Sequence, residues 1–342
     1  MLKFIATLAF SISFAAADPL PLKLSLPTDN TAIFDGNPED FYMWVPRIFE
    51  GVSSKPWTAG QYGFVRTLVK TEGDGIVATK FHEGLDIKPT KRDANNAALD
   101  EVRTIADGTV VHVSPNRGAS SYGIYAVMEH DFGYGKIYSL YAHLAKITAE
   151  KGQTLNSGDP IGIMGYTGVG LNRERSHLHL EINLLASDHY DDYVAKMGFT
   201  NKHGNYNGLN LIGIDAASLF LAHKSNPNIT IPTFLASATP YFKVAVPREA
   251  DLSLCHRYPW LKKGDHETPS PSWEISFTGS GIPLSVIPSH REVRNPLVTY
   301  VRATRSNHSY YTRKRLTGSG RNATLTNSGK NFIGLLTDRF KK

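Results

Sequence analysis

The chain has 342 residues, 41% hydrophobic and 20% charged, with 37 Lys and Arg against 31 Asp and Glu. That balance excludes a disordered polar chain and fits about two folded units of an ordinary globular protein. The one Cys, Cys255, excludes an intrachain disulfide framework and a thiolate zinc cluster, so a metal site would have to draw on carboxylates and the 13 His.

Residues 1–17 read as an export signal: Lys3 supplies a positive start, Phe4 to Phe14 an apolar run, and Ala15-Ala16-Ala17 a cleavage site. The apolar run falls short of the roughly 20 residues of a spanning helix, and the mature chain is expected to have no transmembrane segment. Secreted or periplasmic location follows. Residues 18–60 carry Phe41, Tyr42, Trp44 and Trp57 without periodicity and read as a lead-in packed on the main domain.

From 61 to 190 the pattern is strand-like, with short β-rich runs between Gly and Asp turns. Tyr122 to His130 and Lys136 to His143 flank Asp131-Phe132-Gly133-Tyr134-Gly135 and predict a hairpin. Residues 191–240 form an extension with one helix predicted over Asp215 to His223. Residues 241–342 hold 17 Lys and Arg against 7 Asp and Glu, a net of +10, which leaves −4 on the rest of the chain. Thr278-Gly279-Ser280-Gly281 and Thr317-Gly318-Ser319-Gly320 predict hairpins in a small β module there.

Three segments carry chemistry. In Ser176-His177-Leu178-His179-Leu180-Glu181, strand alternation puts His177 and His179 on one face, their Cα atoms ~7 Å apart, with Leu178 and Leu180 opposite. Alone, the pair fits either a metal site or a solvated strand face. In His82-Glu83-Gly84-Leu85-Asp86, a straight strand would hold His82 and Asp86 ~13 Å apart. Gly84 and Pro89 oppose a helix, so a bend at Gly84 is what could bring imidazole and carboxylate together; alone, the segment also fits an exposed loop. In Tyr138-Ser139-Leu140-Tyr141-Ala142-His143-Leu144, alternation places Tyr141 and His143 on one face.

Together with Gly165-Tyr166-Thr167-Gly168, these segments resemble the LytM/lysostaphin-type zinc peptidases, family M23, over about residues 75 to 185. The resemblance implies an antiparallel β-sheet core; with the short helical extension and the small C-terminal β-rich basic domain read from the sequence itself, the fold is expected to be mainly β. It makes 61–190 the peptidase domain. It implies one zinc ion held by His82, Asp86 and His179, with His143 and His177 as the catalytic pair beside it. It also implies hydrolysis of peptide bonds in peptidoglycan cross-links or stem peptides.

The sequence departs from the family pattern at Leu180, where Phe is usual, and in the longer, charged loop Val169 to Ser176, with Arg173, Glu174 and Arg175. A non-catalytic wall-binding or amidase-activating protein on the same fold, and a zinc protease of Gly-rich extracellular proteins, are the alternatives. The presence of all five residues favours an enzyme. His112 and His130 read as structural, and His203 and His308 as surface residues. For the basic 241–342 region, an anionic cell-wall polymer or a membrane surface is the favoured partner, and nucleic acid is disfavoured for an exported chain.

Overall fold

The computed structural model describes residues 20–248 and 252–341; the export signal expected at 1–17 lies outside them. The fold is mainly β and its sheets are antiparallel. A short hairpin pairs Arg47–Phe49 with Val52–Ser54, and a longer one pairs β1 (Gly63–Thr71) with β2 (Gly75–His82). Then come β3 (Leu85–Ile87), β4 (Gly108–Ser114), β5 (Tyr125–Asp131), β6 (Lys136–Ala142), β7 (Thr154–Leu155), β8 (Leu178–Leu185) and β9 (Leu211–Ile214). These seven make the central sheet in the order β7-β4-β5-β6-β8-β9, with β3 on the free part of β8's edge. β5 and β6 form the predicted hairpin.

β8 is buried along its whole length because both its faces are covered. Leu178, Leu180, Ile182 and Leu184 point into the main core with Tyr141, Met128 and Ala126. Each such aliphatic side chain contributes about 1.5–3 kcal/mol on burial. The other face carries His179, Glu181 and Asn183 beside a smaller apolar cluster of Tyr125, Val127, Tyr138, Leu140 and Ala142. A sheet face that is half apolar and half ionisable is where the chemistry sits.

The bend expected at Gly84 is present between β2 and β3, and its reason is close approach. A Cβ on Gly84 would lie 2.2 Å from the Leu180 carbonyl oxygen and 2.8 Å from Glu181 Cγ. Only glycine lets this turn lie against β8.

In the extension, the predicted helix is α1 (Ala216–Ser225), capped by Asp215, whose Oδ1 accepts from the Ser218 amide at 3.0 Å. Strand β9 just before it was not foreseen. Its run Leu211-Ile212-Gly213-Ile214 is buried on both faces, which removes the alternation that marks a strand. The C-terminal region builds a second sheet from β10 (Phe242–Pro247), β11 (Ser272–Phe277), β12 (Pro283–Ser289) and β13 (Leu297–Val301), ordered β12-β11-β10-β13. Helix α2 (Asn327–Leu336) packs Phe332, Ile333 and Leu336 on it.

Both predicted C-terminal hairpins form, at β11–β12 and at Leu316–Thr317 with Thr324–Leu325. One apolar cluster runs from Leu178 through Phe242 to Leu336. Polar ties cross the same boundary: Tyr258 Oη accepts from the Leu185 amide (2.7 Å) and donates to the Lys136 carbonyl (3.1 Å). Among the described residues, no helix is long and apolar enough to cross a membrane.

Candidate active site

Across the β3–β8 ladder Asp86 stands directly opposite His179, and on β8's other edge His179 stands opposite Ala142. The bend at Gly84 swings His82, at the end of β2, back over Asp86. His82 Nε2, Asp86 Oδ1 and His179 Nδ1 then form a triangle: 3.1 Å from His82 to Asp86, 3.0 Å from His179 to Asp86, and 3.1 Å between the imidazoles. All three residues are buried, at 3%, 2% and 6% exposure.

Two imidazole nitrogens and a carboxylate oxygen packed this closely away from water can share protons or hold one metal ion. Tetrahedral zinc with ligands at its usual bond lengths sets neighbouring donor atoms ~3.3 Å apart, so this donor set fits zinc.

The remaining ring nitrogens show how the site is primed. His82 Nδ1–H donates to the Gln61 carbonyl (2.8 Å), leaving Nε2 bare towards the triangle. His179 Nε2–H donates to Glu181 Oε1 (2.8 Å), and its Nδ1 faces Asp86 Oδ1, to which it donates when protonated and beside which it could ligate a metal when bare. Glu181 is itself fixed by Tyr122 Oη (2.7 Å) and Asn183 Nδ2 (3.1 Å). Hydrogen bonds of this kind fix ring orientation and raise ligand basicity. Burial works against a protonated His179, yet its bonds to Asp86 and Glu181 outweigh this and lift its pKa to about 9. Burial also disfavours an ionised Asp86, but the neighbouring His82 and His177 hold its carboxyl well below the usual range.

His177 and His143 stand beside the triangle with ring centroids 4.8 Å apart, His143 lying 5.7 Å from His179. His177 Nδ1–H donates to the Arg175 carbonyl (2.7 Å), and its Nε2 faces Asp86 Oδ1 at 3.4 Å. His143 Nδ1–H donates to the Thr167 carbonyl (2.8 Å). Burial, then the charges of His177 and His179, push His143 well below the ordinary imidazole range. It is therefore neutral near pH 7, with Nε2 as a free acceptor.

The structure corrects the face assigned to His143. Tyr141 points into the main core, its hydroxyl accepting from the Ile105 amide at 2.9 Å, whereas His143 turns to the opposite face with His179. β6 ends at Ala142 and His143 has φ +61°, a left-handed backbone that breaks the two-residue period. That conformation is held by the His143 amide donating to the Tyr122 carbonyl (2.9 Å) and by the Thr167 bond. All five expected residues thus meet in one open groove of about 480 Å³.

Two other expectations for histidines are also corrected. His203 and His308, read as surface residues, are buried at 8% and 0% exposure. His203 packs on Tyr125 and His112, and His308 accepts from or donates to Tyr241 Oη at 3.0 Å. Short polar loops around both residues concealed this. His130 is structural, as expected, bonded to the Asp107 carbonyl and Ser139 Oγ.

His112 Nε2 is buried without a partner, and burial with the charges of His203 and Lys151 lowers its pKa from 6.5 to about 4. The unfolded chain therefore binds this proton first, so the contribution is intact above pH 6.5 and is lost as pH falls towards 4. His112→Gln should lose less melting temperature than the parent between pH 7.5 and pH 4.5; equal losses would show that His112 is not involved.

Sequence reading did not single out Arg66 or assign a role to Glu181. Arg66 Nη2 lies 2.6 Å from Asp86 Oδ2, the oxygen turned away from the triangle. Nothing local marks Arg66, whereas Glu181 stood two residues from His179 on the same strand face. Glu181→Gln should weaken zinc binding about 10- to 100-fold, read by competition with a chromophoric chelator. Unchanged affinity would make Glu181 merely a core polar residue.

The family model for Peptidase family M23 matches residues 80–192. Among solved structures, the catalytic domain of lysostaphin from Staphylococcus simulans is 21% identical, over 36% of this chain and 75% of its own, with TM-score 0.25. A zinc-containing peptidase from Vibrio cholerae is 25% identical, over 40% of this chain and 42% of its own, with TM-score 0.24. A peptidase M23 structure from Pseudomonas aeruginosa is 19% identical over 50% of this chain, with TM-score 0.27. The match spans about half, 48%, of that structure's length. A comparison with curated proteins finds no match. The segment that the model for Peptidase family M23 matches, residues 80–192, holds His82, Asp86, His143, His177 and His179.

Proposed function

We propose that this chain is an exported zinc endopeptidase that hydrolyses peptide bonds in peptidoglycan cross-links or stem peptides. The observation that carries the reading is the buried His82–Asp86–His179 triangle with two further imidazoles facing it. His82, Asp86 and His179 would hold one zinc ion, which when bound supplies an acidified water and polarises the scissile carbonyl.

His143 is the general base in this reading. Its Nδ1 proton is committed to Thr167, it is neutral, and its Nε2 opens on the groove. It takes a proton from the attacking water and returns it to the leaving amine. His177 lies next to it, ring centroids 4.8 Å apart, with its Nδ1 proton committed to the Arg175 carbonyl; a proton on its Nε2 would let it donate to the carbonyl oxygen as charge develops there. The basic 241–342 region, packed along the peptidase sheet, would hold the enzyme to an anionic wall polymer.

Metal removal and replacement test this directly. Dialysis against a chelator should abolish cleavage of a synthetic cross-linked stem peptide, and one equivalent of zinc should restore it. Full activity of demonstrably metal-free protein would defeat the zinc reading.

A further inference from the structure

One end of the groove is lined by positive charge that the proposed chemistry does not use. Arg66 and Arg175 line it beside Asp86 and His177. Arg66 is committed at both ends, with Nε donating to the Ala59 carbonyl (2.8 Å) and Nη2 paired with Asp86. Arg175 is not. Its Nη1 donates to the Gly170 carbonyl (3.0 Å), its guanidinium faces the Trp44 ring at 5.9 Å, and its buried Nε has no partner. Arg47, on the short N-terminal hairpin, likewise has a buried, unpartnered Nε and bonds only its neighbour Pro46 through Nη1.

Among the described residues, no carboxylate lies within 4.0 Å of a nitrogen of Arg47 or Arg175. On the opposite rim Arg313, brought by the C-terminal region, is already neutralised by Glu83. The excess charge is therefore local to one end.

The half-buried guanidiniums of Arg66 and Arg175 line the same end of the groove as Asp86, which is paired with Arg66 alone, an unfavourable arrangement for the free protein. Burial, followed by the charges of Arg66 and Arg175, lowers the pKa of Arg47; burial lowers that of Arg175, with Asp86 and Glu174 opposing and Arg66 adding to the effect. A second anion would relieve the desolvation and the repulsion together. The planar fork of arginine matches a carboxylate in particular, by paired hydrogen bonds. Three separate stretches of chain supply these residues: the 47–49 strand and β1, which precede the family match, and the charged loop before His177, where the sequence departs from the family pattern.

We propose that Arg175 and Arg47, backed by Arg66, form a carboxylate-binding subsite beside His177, which selects peptide substrates bearing a free carboxylate close to the scissile bond. The proposal rests on the endopeptidase reading and names the substrate class within it. The carboxylate would be held by Nε and Nη2 of Arg175, with the charge of Arg47 adding to the attraction, while Nη1 stays on the Gly170 carbonyl and Trp44 faces the guanidinium. A peptide whose carboxylate is a primary amide brings no charge to this end and leaves the arginines unneutralised.

The test uses the zinc-loaded full chain and three synthetic stem peptides. One has all carboxylates free, one has the glutamyl α-carboxylate as a carboxamide, and one has the C-terminal carboxylate as a carboxamide. For at least one of the two amides, kcat/KM should drop about tenfold, through KM, as expected for losing a charge-assisted hydrogen-bonded pair. In Arg175→Gln the acid-to-amide ratio should collapse towards one, in Arg47→Gln it should fall part of the way, and Arg175→Lys should recover part of it. Equal cleavage of all three peptides by the parent protein, or an acid preference that survives in Arg175→Gln, overturns the proposal. If the parent cleaves none of them, the endopeptidase reading fails, and fluorescence anisotropy of the same peptides, dye-labelled, still decides the subsite. Tighter binding of the acid form, lost in Arg175→Gln, supports it, and equal binding overturns it.

Discussion

His179→Ala should lose both bound zinc and hydrolysis, with activity falling by roughly three orders of magnitude or more. His179 Nδ1 is one corner of the buried triangle, and its Nε2 is the link to Glu181. Removing the ring leaves two donor groups for the metal, too few for a tight site. It also leaves Asp86 and Glu181 buried without the donor they share, at a cost of about 3 kcal/mol. Asp86→Asn, which keeps the side-chain shape, should show the same double loss and so separates loss of metal from loss of fold. Metal content by mass spectrometry and turnover on a stem peptide would be measured on the same samples. Zinc at one equivalent in either variant would contradict the assignment of these three residues.

His143→Ala should have the opposite signature, keeping one zinc per chain and losing about 10²- to 10⁴-fold in kcat. The ring touches the ligand set only at its edge, 5.7 Å between centroids to His179, and it shares no hydrogen bond with His82 or Asp86. What it offers is an unprotonated Nε2, kept so by burial and by the neighbouring imidazoles. Its φ of +61° is a strained setting for a side chain with a Cβ, the kind of backbone cost that functional positions retain. Full activity in His143→Ala would move the role of base to His177.

The site was largely legible because its residues sit in short local patterns. His177 and His179 follow strand alternation, and Gly84 between His82 and Asp86 forced a bend that the structure places against the Leu180 carbonyl. What was not legible depends on contacts distant in sequence. The face of His143 is set by Thr167 and Tyr122 rather than by the strand's own period. Arg66 reaches Asp86, and Arg313 reaches Glu83, across 20 and 230 residues of chain, and no window of sequence joins them. The strand Leu211–Ile214 was hidden by burial on both sides, which turns a two-residue alternation into a plain apolar run. His203 and His308 show the same weakness, since polar neighbours in a loop do not reveal which side chain turns inward.

The central claim is that the chain uses zinc to cut peptide bonds of the bacterial wall. The measurement that tests it most directly is a digest of purified peptidoglycan by the mature protein, with and without a zinc chelator, read by mass spectrometry. The account predicts fragments with new peptide amino and carboxyl termini that disappear on chelation. An unchanged sacculus from protein with zinc confirmed at one equivalent would contradict it, and would point to a wall-binding or amidase-activating protein on the same fold.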